Sequence, residues 1–334
     1  MNVMALPKVE LHLHLDCSLS YDVVQRLAPH ISLEDYRREF VAPTKCTNLA
    51  DFLTRAPKGF ALMQSREALR AVVDDLFAQL VRDGVIYAEI RFAPLLHMRG
   101  GLRDHEVVGV VDEATRAAAA RTGIEGRVIL CTLRHLSEEE SMRTVRLVDR
   151  FAGTSVAAFD IAGDEAGYPI DAHVAAYQYA IERGLARTAH AGEAAGPESV
   201  WETLQAFQPS RIGHGVRCVE DDRLVEHLVR TRIHLEVCPT SNVQTNICDT
   251  FVDHPIDRLY RRGVSIGINT DTRTITDVTL NEEYTSLGET FAWGRNDLLR
   301  CNLDAVDAAF IPDDVKARLR DQLIAAYGRL PEGQ

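Results

Sequence analysis

Val9-Glu10-Leu11-His12-Leu13-His14-Leu15-Asp16 alternates apolar with polar side chains, the period-two pattern of a β-strand with two unlike faces. His12 and His14 therefore point the same way, about 7 Å apart along the strand. Two neutral imidazoles on one face can close on a single metal ion. By itself a His-x-His pair is more often the partly solvated face of an ordinary strand, so the rest of the chain has to decide.

Outward from this strand, residues 20–84 read as a helical insertion. Leu69, Val72, Val73, Leu76 and Leu80 have helical spacing over 66–82, with Ser65 as an N-cap and Gly84 just past the end. Shorter helical pieces fall near 21–28 and 49–55. Beyond the insertion, apolar strand-like runs at 85–94, 127–134, 156–163, 186–193, 211–215, 233–242 and 264–271 alternate with helical patterns at 105–122, 138–151, 171–183, 197–206, 221–230 and 255–262. With the opening strand there are eight. Near-continuous apolar strands alternating with helices indicate a parallel sheet, and eight such units indicate an α/β fold of the closed (β/α)8 TIM-barrel type. The expectation is one barrel domain over 1–334, with 20–84 as insertion or cover. An open doubly wound sheet would carry a Gly-rich first turn, and the sequence has none.

The composition narrows the partners. A formal charge of -12, with four lysines among 37 basic residues, argues against nucleic acid and anionic membranes and favours a small neutral or cationic ligand. The cysteines, Cys17, Cys46, Cys131, Cys218, Cys238, Cys248 and Cys301, are odd in number and never spaced Cys-x-x-Cys, which argues against a disulfide framework and a cysteine zinc site. MNVMALPKVELH lacks a basic-then-apolar signal pattern, and no apolar run has the length of a membrane span. The expectation is a reduced, soluble, cytoplasmic protein; its oligomeric state is not readable.

In a barrel, reactive groups collect at the carboxyl ends of the strands. Those ends are His12, His14 and Asp16; Ala162-Gly163-Asp164-Glu165; Thr188-Ala189-His190-Ala191-Gly192-Glu193; Gly213-His214-Gly215; and Asn269-Thr270-Asp271. His12, His14, His190 and Asp271 make a plausible ligand set for one zinc ion per chain, with room for a water. Such a site lowers the pKa of bound water to about 7. Asp271 could also accept the water proton, His214 orient the hydroxide, and Glu193 act as a protonated general acid. Taken singly, His190 or His214 could be a hydrogen-bonded strand-end histidine, Asp271 a helix cap and Glu193 a surface carboxylate; their joint placement shifts the weight. The remaining histidines, His97 and His254 among them, read as structural or surface residues. Cys238-Pro239-Thr240-Ser241-Asn242 reads as a polar site wall or an ordinary turn.

Leu6-Pro7-Lys8-Val9-Glu10-Leu11-His12-Leu13-His14-Leu15-Asp16, His190-Ala191-Gly192-Glu193, Arg211-Ile212-Gly213-His214-Gly215, Cys238-Pro239-Thr240-Ser241-Asn242 and Asn269-Thr270-Asp271 together resemble the adenosine deaminase family of the amidohydrolase superfamily. The resemblance implies a zinc-dependent hydrolytic deaminase of 6-aminopurines acting on a purine nucleoside. His12, His14, His190 and Asp271 would hold the metal, Glu193 would protonate purine N1, and His214 would position the attacking water. Gly163 would meet N3 through its backbone, and Asp16 would reach the ribose. Two positions depart from the family pattern. Thr272 stands where a second aspartate usually meets N7, and Cys17 stands where glycine usually follows the ribose-contacting aspartate. Thr272 can donate a hydroxyl to N7 but offers no carboxylate. Adenosine and 2′-deoxyadenosine lead the substrates; free adenine, a 5′-modified adenosine and an N6-substituted adenosine follow, with Arg55 or Arg273 as candidate phosphate partners for a nucleotide. A non-catalytic nucleoside-binding protein and a metal-dependent amide or ester hydrolase are the readings from other classes.

Overall fold

Eight strands run parallel and in chain order in the computed structural model, which describes residues 2–328. Met1 and residues 329–334, the ends of the expected 1–334 domain, lie outside the described residues. The strands are β1 (Lys8–His14), β2 (Val85–Phe92), β3 (Glu125–Leu133), β4 (Val156–Ala162), β5 (Ala186–Ala191), β6 (Arg211–His214), β7 (His234–Val237) and β8 (Ile266–Ile268). Past the end of β8 the chain rejoins β1. Asp271 N–H donates to the His12 carbonyl (3.1 Å), and His14 N–H donates to the Asp271 carbonyl (2.7 Å). Asn269 Oδ1 reinforces the seam by accepting from the N–H groups of Leu11 (2.7 Å) and His12 (3.0 Å). The result is a TIM-type barrel whose strands bury side chains on both faces, polar and charged ones among them.

Five helices separate β1 from β2: α1 (Tyr21–Leu27), α2 (Leu33–Glu39), α3 (Leu49–Leu53), α4 (Ala56–Leu62) and α5 (Arg66–Asp83). Ser65 Oγ caps α5 by accepting from Ala68 N–H, and Gly84 ends it in the left-handed region at φ 72°. The long stretch is not all insertion. α5 packs against α6 (Asp104–Thr122) in the outer ring and serves as the crossover that two parallel strands require. α1 to α4 are the addition.

The outer ring continues with α7 (Glu138–Arg150), α8 (Val174–Glu182), α9 (Pro197–Phe207) and α10 (Asp222–Thr231). The run at 233–242 is not one strand. β7 stops at Val237, and α11 (Pro239–Gln244) begins at the proline, whose missing N–H suits the first turn of a helix and cannot serve a ladder. After α12 (Ile256–Arg261) and β8 come α13 (Arg273–Thr276), α14 (Leu280–Phe291), α15 (Arg295–Ala308) and α16 (Asp313–Tyr327). α15 packs on β8 and β1, and α16 packs on α15. Among the described residues, no helix is long and apolar enough to cross a membrane.

Candidate active site

β1 sends His12 and His14 to the barrel mouth, β5 sends His190, and β6 ends in His214; Asp271 lies past β8. His214 and Asp271 both hold left-handed backbone (φ 58° and 63°), a region that non-glycine residues occupy rarely and often at functional sites. Gly213 makes room for the cluster. A Cβ there would lie 2.9 Å from His12 Cε1 and 3.2 Å from His190 Cγ.

Buried carboxylates fix which nitrogens carry protons. His12 Nδ1 donates to Glu236 Oε2 (2.8 Å), and His190 Nδ1 donates to Asp160 (3.2 Å). In a neutral imidazole the other nitrogen is then a bare acceptor. Burial pushes His14 down to about 3 and also lowers His190, so both are neutral near pH 7. His12 differs: burial and Arg91 disfavour its charged form, yet the hydrogen bonds and charges of Asp271 and Glu236 raise its pKa. His14 Nε2 lies 3.2 Å from His190 Nε2, and Asp271 Oδ1 lies 3.3 Å from His12 Nε2 and 3.5 Å from His14 Nε2. Among the described residues, His12 Nε2 has no hydrogen-bond partner. Such a set suits a cation, since imidazole nitrogen with a carboxylate oxygen is a common metal-binding combination. Ligand atoms of His12, His190, His214 and Asp271 all lie within 4.8 Å of one another and could hold a metal ion. Ser241 Oγ donates to Asp271 Oδ2 (2.8 Å), which leaves Oδ1 facing the histidines.

Glu193 sits beside this cluster with Oε2 3.6 Å from His214 Nε2. Burial, then the nearby charge of Asp271, pushes its carboxyl well above the ordinary value, so it holds a proton at neutral pH. The loop that carries it is clamped by Glu165, which accepts from the N–H groups of Gly192 (2.7 Å), Glu193 (2.9 Å), Ala194 (2.6 Å) and Ala195 (2.9 Å).

A cavity of about 350 Å³ opens over these groups. Its walls include Asp16, Cys17, Gly163 and Thr272, while Leu49, Phe52, Leu53 and Phe60 of α3 and α4 form an apolar cover. Gly163 holds φ 103°, open to glycine alone among common residues. Asp16 Oδ2 accepts from Ala93 N–H (3.2 Å). Thr272 Oγ1 is buried with no hydrogen-bond partner among the described residues. Neither arginine proposed for a phosphate lines the cavity. Arg55 is paired with Asp51, and Arg273 is buried between Glu10 and Asp83.

The model of the family described as adenosine deaminase matches residues 7–326. The chain belongs to the adenosine deaminase family. An adenosine deaminase from Lacticaseibacillus paracasei is 35% identical over 328 residues, covering 96% of each chain. Among solved structures, an adenine deaminase from Arthrobacter aurescens superposes with a TM-score of 0.88 at 26% identity, over 96% of this chain and 98% of its own. An amidohydrolase from Burkholderia ambifaria, with bound Zn, shares the fold at a TM-score of 0.89 and 24% identity, over 97% of this chain and 91% of its own. The protein is a hydrolytic deaminase.

Within this family member, several residues of the site escaped the reading of the sequence. Asp160 and Glu236 orient His190 and His12, and Arg91 bridges the two carboxylates (2.8 and 2.6 Å); Glu165, placed at a strand end but given no role there, clamps the Glu193 loop. A signal was present. A charge inside an apolar parallel strand, as in Val156–Ala162 or His234–Val237, must be paired across the barrel to be tolerated.

Proposed function

We propose that the protein hydrolyses the 6-amino group of adenosine or 2′-deoxyadenosine, giving inosine or 2′-deoxyinosine and ammonia, with one zinc ion held by His12, His14, His190 and Asp271. The observation that carries this is the convergence of the His12, His14 and His190 imidazoles and the Asp271 carboxylate on one point, beside a protonated Glu193 in one cavity. Zinc, when bound, makes a water acidic enough to ionise near pH 7. Glu193 gives its proton to purine N1, which draws electrons away from C6 and readies it for attack. His214 hydrogen-bonds the attacking water, and Asp271 takes the water proton and passes it to the departing amine. The C6–O bond forms first; the C6–N bond then breaks as the remaining hydroxyl proton leaves to solvent and C6 becomes a carbonyl, and Glu193 is reprotonated from solvent. Asp16 takes the ribose, the Gly163 backbone meets N3 and the Thr272 hydroxyl donates to N7.

A nucleoside is favoured over a nucleotide. Among the described residues, no lysine or arginine lines the cavity, and its outer wall is apolar. A phosphate there would be desolvated without a cationic partner. An ultraviolet assay of 6-amino to 6-oxo conversion on adenine, adenosine, 2′-deoxyadenosine, 5′-methylthioadenosine and adenosine monophosphate tests the reading. Turnover of the nucleosides with the monophosphate rejected is expected; efficient turnover of the monophosphate or of free adenine alone would overturn it.

A further inference from the structure

A chain of hydrogen bonds that begins on a backbone amide fixes the protonation of His214. Ile256 N–H donates to His254 Nδ1 (3.1 Å). That nitrogen is therefore a lone pair, and the single proton of a neutral imidazole sits on Nε2. Burial keeps His254 neutral, with its pKa pushed down to about 3. Nε2 is 3.1 Å from Asn242 Oδ1 and donates to it. The Asn242 amide is thereby oriented, and its Nδ2 faces His214 Nδ1 at 3.0 Å as a donor. His214 Nδ1 must accept, so its own proton lies on Nε2, the nitrogen turned toward Glu193 and the cluster. His12 and His190 have the opposite tautomer, because their Nδ1 atoms donate to carboxylates.

The geometry points to a tautomer relay, from Ile256 N–H through His254 and Asn242 to His214, in which His254 and Asn242 are positioning residues that keep His214 a hydrogen-bond donor and out of the metal-ligand set. The inference rests on the deaminase reading above, in which His214 orients the attacking water. It explains why five candidate groups crowd one spot while only four are needed. His214 Nε2 carries a hydrogen where a ligand needs a lone pair, which leaves His12, His14, His190 and Asp271. It also gives His254 a role at a distance, although it touches neither cavity nor cluster.

Two-bond proton–nitrogen correlation spectra of zinc-loaded, ¹⁵N-histidine-labelled protein read the tautomers directly, with His214→Asn used for assignment. His214 is expected as the Nε2–H form. Asn242→Asp keeps the shape but offers acceptors to both neighbours, so His214 should move its proton to Nδ1. Turnover should then fall by about a hundredfold or more, in kcat with KM little changed. His254→Gln can still donate an amide hydrogen to Asn242 and should keep the wild-type tautomer and most of the rate; His254→Leu should lose both. A wild-type His214 found as Nδ1–H, or an Asn242→Asp protein with the tautomer or kcat of the wild type, would overturn the relay. If the wild type converted no 6-aminopurine, the deaminase reading would fall instead, which the spectra and the assay separate.

Discussion

Glu193 holds its proton because it is buried beside other carboxylates, not because a partner supplies one. A group that must give a proton to a ring nitrogen near pH 7 needs that environment. Glu193→Gln keeps the size and hydrogen-bonding reach but cannot transfer the proton. Turnover should drop by about 10²–10⁴-fold, while metal content measured by plasma mass spectrometry stays at the wild-type level; a fully active variant would remove the acid role. Asp160 tests the other half of the site. It fixes the His190 ring and is itself held by Arg91. Asp160→Asn weakens that orienting bond, and the metal should compete about 10–100-fold less well against a chelator. An unchanged affinity would show that the His190 ring is held by packing alone.

At the scale of elements, the cover over the cavity meets the barrel at a glycine. A Cβ on Gly59 of α4 would lie 2.4 Å from the carbonyl oxygen of Asp16. Gly59→Ala must therefore push α4 away from the chain that carries Asp16 and Cys17, at a cost of about 1–3 kcal/mol. KM should rise more than kcat falls, and the thermal midpoint should drop. A lower midpoint with KM unchanged would mean that α4 does not shape the substrate site. The same scale shows what a sequence discloses. Eight strands were readable because buried parallel strands are apolar runs, and the barrel rule then places His12, His14, His190, His214 and Asp271 at one mouth. The run at 233–242 misled because the polar residues Thr240, Ser241 and Asn242 read as the end of the strand when they belong to the helix after it, with Pro239 the sign of the break. Asp160 and Glu236 were hidden for a different reason. Arg91, which pairs with both, is 69 and 145 residues away from them, so nothing local marks the three as a unit.

Across the whole molecule, one buried carboxyl outside the site couples folding to pH. Glu283 of α14 accepts from Thr240 N–H at the start of α11 (2.9 Å), and its second oxygen has no partner among the described residues. Burial raises its pKa from 4.5 to about 8. Below pH 4.5 the folded and unfolded chains both carry this proton, so it contributes no slope. Between 4.5 and about 8 the folded protein keeps a proton that the unfolded chain has released. Its contribution to stability therefore falls as pH rises through that window, by at most about 1.4 kcal/mol per pH unit, and levels off above it. Glu283→Gln retains the acceptor for Thr240 and abolishes the titration. In urea unfolding at several pH values from about 5 to 8, the variant should lose less stability than the wild type, with the gap widening as pH rises. Parallel curves would mean that Glu283 is ionised in the folded protein, and that α14 tolerates a buried negative charge against α11.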